Sequence, residues 1–236
     1  MTTARWVEQS MFPDMRPDKP VGPILPSVFV GSNADLMAAV APYYLTGSVM
    51  DCTYGDGKWW ERFQPAEFVA HDKFKGDGVD FTALPEADGT YDTVCFDPPY
   101  TISGTSSDRL GPDFHDRYGI GMENLQYPTT AKGTAGFEQM ILAGLAETCR
   151  VARQWVLVKC MEFSQGNHVP AARSFHDIPH LVTSRALELG MLKHDQIVHH
   201  TGSGPGSHNI FVPKRARRHH SYLLVFTKAK PKKGRA

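Results

Sequence analysis

Residues 48–57 (SVMDCTYGDG) decide the fold, because a short apolar segment runs directly into a turn that contains two glycines. An apolar run of this length that ends at glycine is typical of a buried strand in a parallel sheet. Similar segments lie at 68–72, 78–81, 93–97, 154–160, 197–200 and 221–227, and helical spacing is found at 34–44, 134–153 and 179–189. Strands that alternate with helices predict an α/β fold, a doubly wound, mostly parallel, Rossmann-like sheet of about seven strands.

The length of 236 residues, with 41% hydrophobic and 21% charged residues, predicts one domain with a full core. We expect an irregular, proline-rich N-terminal arm over residues 1–27, the domain over 28–228 and a basic tail over 229–236. Two polar segments without periodicity interrupt the domain. They are predicted to be a long substrate loop over 101–132 and a basic loop over 201–218.

Several classes of protein are disfavoured by the sequence. No apolar run approaches the roughly 20 residues of a membrane span, and the N-terminus lacks the pattern of a secretory signal, so we expect a cytoplasmic protein without a membrane partner. The four cysteines form no CxxC pair and are expected to be reduced core residues. The histidines at 168, 176 and 180 have no cysteine partner nearby, so no metal is expected.

Basic residues concentrate at the C-terminus. Lys and Arg number 25, as do Asp and Glu, yet nine of the basic residues and no acid lie within residues 213–236. A phosphate backbone attracts such an arm, although lysine-rich termini also serve solubility. Arg215, Arg217 and Arg218 are candidate phosphate contacts, with a solvated basic turn as the alternative.

Carboxylates end three of the predicted strands. Asp51 ends the first and is followed by Thr53, Gly55 and Gly57, and Asp72 ends the second. Asp80 and Phe81 end the third, where they offer a hydrogen-bond acceptor beside an aromatic face. Ligands of open α/β sheets bind at the carboxyl ends of the strands, so these residues are predicted to bind a cofactor. The alternative is that the carboxylates are ordinary helix caps.

The pattern disfavours two common nucleotide cofactors. A dinucleotide site needs a third small glycine where Trp60 stands, and the GxxxxGK[ST] loop of ATP sites is missing. S-adenosylmethionine (SAM) has no phosphate, and its ribose suits Asp72, its adenine Asp80 and Phe81, and its ammonium group a carboxylate near Asp51. SAM is therefore the predicted cofactor.

The fourth predicted strand ends in Asp97-Pro98-Pro99-Tyr100. The lone pair of an exocyclic base amino group is delocalised into the ring, which makes it a poor nucleophile. The Asp97 carboxylate and the Pro98 carbonyl could accept its two N–H bonds and direct the lone pair to a sulfonium methyl group. Pro99 restricts the backbone, and Tyr100 is predicted to stack on a base flipped out of the duplex.

The motif DPPY, downstream of a DxxxGxG turn, resembles that of the amino-group DNA methyltransferases, over about residues 30–228. The resemblance implies SAM as methyl donor, the sheet of the SAM-dependent methyltransferases, catalysis at residues 97–100 and a role for residues 29–33 at the methionine end. The closing strand also resembles the family's ending at residues 220–226. The sequence departs from the family at Cys52, Thr53 and residues 58–60.

Adenine N6 in DNA is the substrate that the resemblance favours, because DPPY is commoner among adenine enzymes and SPPY among cytosine N4 enzymes. The same hydrogen-bond scheme also suits cytosine N4 or guanine N2 of RNA. An inactive nucleic-acid-binding subunit is a further alternative, and whether the chain is a monomer or a homodimer is left open. Lys159, at the end of the fifth strand, is a candidate substrate contact, or a core lysine that extends to solvent.

Overall fold

Seven strands form one central sheet in the computed structural model, which describes residues 24–98, 133–164, 175–201 and 219–229, with the backbone alone at 133–137 and 163–164. The strands are β1 (Val28–Val30), β2 (Ser48–Asp51), β3 (Glu67–Ala70), β4 (Tyr91–Phe96), β5 (Ala152–Cys160), β8 (Met191–His200) and β9 (Ser221–Lys228). Their order in the sheet is β3-β2-β4-β5-β9-β8-β1. Two short strands, β6 (Phe163–Ser164) and β7 (Phe175–His176), pair separately.

All pairs in the central sheet are parallel except those of β9, which runs antiparallel to both β5 and β8. The carboxyl ends of the six parallel strands therefore lie at one edge of the sheet. Strand β9 begins at that same edge, because Ser221 pairs with His199 and Tyr222 pairs with Cys160. We call this edge, with the residues that follow the six strands or precede β9, the carboxyl edge.

Helices cover both faces of the sheet. They are α1 (Asn33–Tyr44), α2 (Gly133–Val151), α3 (Ile178–Glu188) and a short 3₁₀ helix (Lys58–Trp60). Helix α1 begins at the carboxyl edge with a capping box, in which the Ser32 hydroxyl accepts the Asp35 amide and the Asp35 carboxylate accepts the Ser32 amide. No helix in the described part of the chain has the length and apolarity needed to cross a membrane.

The core consists of two apolar layers, one on each face. Alternate residues of β2, β4 and β5, such as Met50, Phe96 and Val158, pack with α2 and α3. The intervening residues, such as Val49 and Leu157, pack with α1 and the 3₁₀ helix. Strands with apolar side chains on both faces are what a sheet covered on both sides requires, so the structure confirms the predicted doubly wound fold with seven strands.

One predicted strand is wrong and another was missed. Residues 78–81 form no strand, because the Asp80 carboxylate accepts the backbone amide and hydroxyl of Thr82 and closes a turn. The apolar Phe81 packs into the core from that turn. Strand β1 was not predicted, and the sixth predicted strand, at 197–200, is the end of the longer β8. All four cysteines are free and buried, as expected.

Candidate functional site

Four titratable side chains lie in a row across the carboxyl edge, on the face of the sheet that α1 covers. They are Asp51 on β2, Asp97 directly after β4, Lys159 on β5 and His199 on β8. The residue two positions earlier on each strand belongs to the α1 layer of the core, namely Val49, Cys95, Leu157 and Ile197. Side chains two positions apart on a strand share a face, and we call the four residues the polar row.

Asp51 is a buried acid with hydrogen bonds to both carboxylate oxygens. Its Oδ1 accepts the Thr53 amide at 2.9 Å, and its Oδ2 accepts the indole N–H of Trp60 at 2.7 Å. Burial raises the pKa of Asp51 to about 6, with the nearby Asp97 charge contributing and the Trp60 and Thr53 bonds opposing the shift. The sequence marked Trp60 only as the residue that replaces a third glycine, and it did not indicate that the indole N–H fixes this carboxylate.

The raised pKa of Asp51 predicts a specific pH dependence of stability. The native state holds the Asp51 proton between about pH 4 and about pH 6, where the unfolded chain has released it, so the free energy of unfolding falls as the pH rises through this window. A shift of this size corresponds to about 3 kcal/mol as an upper bound. Urea unfolding at intervals between pH 4 and pH 7 measures the effect.

Asp51→Asn should remove the contribution of Asp51 to the pH dependence of unfolding. The difference in the free energy of unfolding between wild type and this variant should therefore change with pH. The matched control is Asp88→Asn, because the Asp88 side chain is 81% exposed and forms an ion pair with the Arg150 guanidinium at the surface. This control should keep the wild-type pH dependence. Identical pH profiles for wild type and Asp51→Asn would contradict the assignment.

Asp97 lies at the carboxyl edge directly after β4, whose neighbours in the sheet are β2 and β5. Its amide donates to the Thr53 hydroxyl at 2.8 Å, so the Thr53 side chain links the glycine turn after β2 to the end of β4. Asp97 is partly exposed and Pro98 is buried. Asp97 therefore retains some exposure to solvent at the carboxyl edge. Pro99 and Tyr100 lie outside the described residues, and their catalytic role stays a prediction.

The turn after β2 requires two glycines. Gly55 has φ +55° and Gly57 has φ +69°, values that side chains on L-residues strongly disfavour. The Gly55 amide donates to Asp72 Oδ2 at 2.8 Å, and Asp72 Oδ1 accepts the amides of Phe74 and Lys75. Asp72 thus holds the turns after β2 and β3 together, and its predicted contact to a ribose would use its remaining lone pairs.

The predicted adenine contacts lie in a turn after β3. The Asp80 carboxylate accepts the Lys73 ammonium at 2.7 Å in addition to its bonds with Thr82. Burial opposes ionisation of Asp80, but these donors outweigh it and lower the pKa of the carboxyl below its ordinary value. Phe81 is 7% exposed and packs against Phe96, with ring centroids 5.3 Å apart. The roles of Asp80 and Phe81 towards a cofactor stay predictions.

Two residues beside Asp72 were not singled out from the sequence. Phe74 is 40% exposed, and an aromatic residue two positions after a strand-end acid was a signal that could have found it. His71 is buried, and its ring nitrogens lie 2.6 Å from Asp77 and 2.6 Å from Glu86. Although burial opposes the charge, the two carboxylates raise the pKa of His71 above its ordinary value, and the His71 ring links Asp77 to Glu86 in the segment after β3.

Lys159 and His199 form the other half of the polar row. Lys159 is 5% exposed, and its Nζ donates to Asn33 Oδ1, the first residue of α1, at 2.7 Å. His199 is fully buried and its Nε2 donates to the Gly31 carbonyl at 2.9 Å. Burial lowers the pKa of both groups. His199 was not predicted as a site residue, because β8 also contains His194, His200 and other polar residues, and no local pattern distinguishes His199 among them.

A hydrogen-bonded chain lies where β9 begins. The Tyr222 hydroxyl donates to Glu162 Oε1 at 3.0 Å, and His220 Nε2 lies 2.9 Å from the same hydroxyl. Tyr222 packs against the apolar layer on the α2 face of the sheet, which is opposite to the face that carries the polar row. Arg215, Arg217 and Arg218 lie outside the described residues, so their predicted phosphate contacts stay predictions. Within the ranges given above, no three His, Cys, Asp or Glu side chains cluster as metal ligands would.

Comparison with known proteins finds similarity to solved structures only. No family model and no curated protein matches the chain. A candidate DNA modification methylase from Thermus thermophilus, complexed with SAM, is 13% identical over 63% of this chain and 51% of that one, with a TM-score of 0.39. The chain thus spans about half the length of that protein.

Two further solved structures are similar over more of their length. Magnesium protoporphyrin IX methyltransferase from Synechocystis PCC 6803, with bound SAM, is 12% identical over 83% of this chain and 79% of that one, with a TM-score of 0.41. A SAM-dependent methyltransferase from Aquifex aeolicus is 12% identical over 78% of this chain and 82% of that one, with a TM-score of 0.38. What this chain binds has to be inferred from its own residues.

Proposed function

We propose that the chain is a SAM-dependent methyltransferase that acts on the exocyclic amino group of a nucleobase, with adenine N6 in DNA as the substrate. The observation that carries the proposal is the position of Asp97-Pro98. This pair directly follows β4 and is joined through Thr53 to the two-glycine turn after β2. The acceptors that we propose for catalysis and the turn that we propose for the cofactor are thereby adjacent at the carboxyl edge, where ligands of open α/β sheets bind.

The residues around that turn fit SAM better than a phosphorylated cofactor. Burial raises the pKa of Asp51, and the charge of the nearby Asp97 adds to this shift. A cation beside the two carboxylates would relieve their repulsion, whereas a phosphate would increase it. Asp56 adds a further carboxylate in the turn, where Lys75 contacts it at 2.7 Å. An acidic turn of this kind suits the sulfonium and ammonium groups of SAM.

The residues that would hold SAM follow from the strand ends. They are Asp51, Thr53, Gly55, Gly57, Asp72, Asp80 and Phe81, of which Asp51 acts by its charge and the two glycines by allowing close approach of the backbone. When bound, SAM supplies an electrophilic methyl group.

The chain's own contribution to catalysis is to orient and polarise the base. The Asp97 carboxylate and the Pro98 carbonyl accept the two amino N–H bonds, which localises the nitrogen lone pair. Tyr100 supplies an aromatic surface for a base that has left the duplex stack. The proton that the nitrogen loses after transfer passes to Asp97 or to water, and no metal is required.

Nucleic acid as the substrate is supported by the charge of the C-terminal segment. Nine Lys and Arg residues and no acid lie within residues 213–236, and Arg215, Arg217 and Arg218 immediately precede β9, which begins at the carboxyl edge. Basic residues beside a catalytic edge would hold phosphates there. DNA is proposed over RNA on the resemblance of the DPPY motif.

The test is methyl transfer from tritiated SAM to duplex DNA and to RNA of matched sequence, followed by mass spectrometry of the nucleosides. We expect label in DNA, recovered as N6-methyladenine. Recovery as N4-methylcytosine, or as N2-methylguanine in RNA, would support methyl transfer to an exocyclic amino group but would contradict adenine N6 in DNA as the substrate. No label in either polymer, together with no SAM binding by calorimetry, would contradict the proposal and favour an inactive binding subunit.

A further inference from the structure

We infer that Lys159 is a positioning residue, which keeps the Asp97 carboxylate ionised and in place, and is not a contact to the substrate. The inference rests on the proposed function, because Asp97 is the catalytic residue that it concerns. The sequence alone suggested only that Lys159 could touch the substrate or extend to solvent. Its position in the sheet indicates a different role.

The strand register brings Lys159 beside Asp97. Phe96 pairs with Val158 in the parallel ladder between β4 and β5, so the next residues along the two strands are Asp97 and Lys159. Neighbouring positions of parallel strands are about 4.8 Å apart, with their side chains on the same face. Both side chains lie on the α1 face, in the polar row.

Lys159 is not free to reach a substrate. Its side chain is 5% exposed, and its Nζ is directed to Asn33 Oδ1, 2.7 Å away, beneath the first turn of α1. A lysine that contacts phosphate or a base needs its ammonium group at the surface. The Asn33 bond instead fixes the ammonium group under a helix, where it can act on neighbouring charges.

The charges around Lys159 make Asp97 its natural counter-ion. Burial opposes the charge on Lys159, whereas Asp97, directly after β4, and the Cys160 thiol on β5 favour it, and the Lys159 charge in turn helps to lower the pKa of His199 on β8. Asp97 in turn is near Asp51, a like charge that favours its protonation. A fixed cation on the other side of Asp97 offsets that repulsion, so that Asp97 stays an acceptor for the amino N–H.

The effect of Lys159 on Asp97 can be measured without any turnover. The experiment follows the Asp97 side-chain carboxyl carbon by NMR during a pH titration, with the resonance assigned from Asp97→Asn. In Lys159→Gln, which keeps an N–H donor for Asn33 but loses the charge, we expect the Asp97 midpoint to rise by about one pH unit or more. Lys159→Arg should leave it near the wild-type value.

The kinetic measurement separates positioning from substrate contact. Lys159→Gln should lower kcat about 10–100-fold with the KM for DNA nearly unchanged, and Lys159→Arg should restore most of the loss. The matched control is Lys193→Gln, since Lys193 is exposed on β8 and bonds Gln196. It should alter neither quantity.

The possible outcomes test the positioning role of Lys159 and the proposed function separately. An unchanged Asp97 midpoint in Lys159→Gln, or a raised KM with unchanged kcat, would overturn the positioning role. A shifted midpoint in a protein that methylates neither DNA nor RNA would support the positioning role and contradict the proposed function. If Lys159→Gln does not fold, the same NMR titration is performed on Lys159→Met, which also lacks the charge, and is compared with that of Lys159→Arg.

Discussion

Asp97→Ala is expected to abolish methyl transfer while SAM binding persists. The substitution removes the carboxylate acceptor that localises the amino lone pair, and the loss of one such polar contact in a transition state lowers kcat about 10²–10³-fold or more. The Asp97 amide, which bonds Thr53, is retained, so the glycine turn keeps its link to β4. Tritium transfer measures kcat, and calorimetry measures the SAM dissociation constant.

The control for Asp97→Ala is Asp88→Ala, a surface carboxylate that the proposal gives no role. Asp88 contacts Arg150 at 3.0 Å, and its loss should leave both turnover and SAM affinity at the wild-type level. If Asp97→Ala methylated DNA at the wild-type rate, the mechanism proposed for the DPPY strand end would be wrong. If SAM affinity fell with turnover, Asp97 would serve the cofactor and not the base.

Gly57→Ala is expected to weaken both the fold and cofactor binding. The left-handed conformation at φ +69° costs an alanine about 1 kcal/mol. The added Cβ would also lie 2.5 Å from the Tyr54 hydroxyl, so Tyr54 must move, at a further cost of about 1–3 kcal/mol. Gly57 caps the 3₁₀ helix that carries Trp60, the donor to Asp51, so strain here displaces the polar row.

Two other glycines separate conformational strain from the clash. Gly55 has φ +55°, and a Cβ added there would lie 3.9 Å from the Thr53 carbonyl oxygen, so Gly55→Ala strains the same turn without a clash. Gly89 has φ +63° and open space around it, just before β4 at the opposite edge. Thermal unfolding should rank Gly57→Ala as the least stable of the three alanine variants.

The affinity for SAM should also differ among these three alanine variants. We expect Gly57→Ala to bind SAM at least about 10-fold more weakly, which corresponds to about 1.4 kcal/mol. Gly55→Ala should bind less tightly than wild type, and Gly89→Ala should bind as wild type does. Equal affinity for SAM in Gly57→Ala and Gly89→Ala would contradict a role of the two-glycine turn in cofactor binding.

The sheet could be predicted because its signals are local. Apolar runs such as 154–160 and the glycines after β2 depend on neighbouring residues only, and the structure has a strand and a turn there. The predicted strand at 78–81 was wrong because one buried aromatic, Phe81, was enough to suggest a strand in a segment that Asp80 closes as a turn. Three residues of β1 before Gly31 were too few to produce a pattern.

The site could be predicted only at the level of strand ends. That acids meet at the carboxyl edge follows from parallel topology, and Asp51 and Asp97 lie there. The bond between Lys159 and Asn33 joins residues 126 positions apart, and the bond between Trp60 and Asp51 depends on how a 3₁₀ helix packs. No periodicity in the sequence records such contacts, so the polar row emerged only from the fold.

The antiparallel β9 has a consequence for how specificity could change. Because β8 ends and β9 begins at the carboxyl edge, with His199 opposite Ser221, both ends of the connection between these two antiparallel strands are fixed at that edge. Insertions or exchanges in such a connection leave the pairing register of the two strands untouched. Under the proposed function, changes in this connection would alter the choice of target while the stability of the sheet is retained.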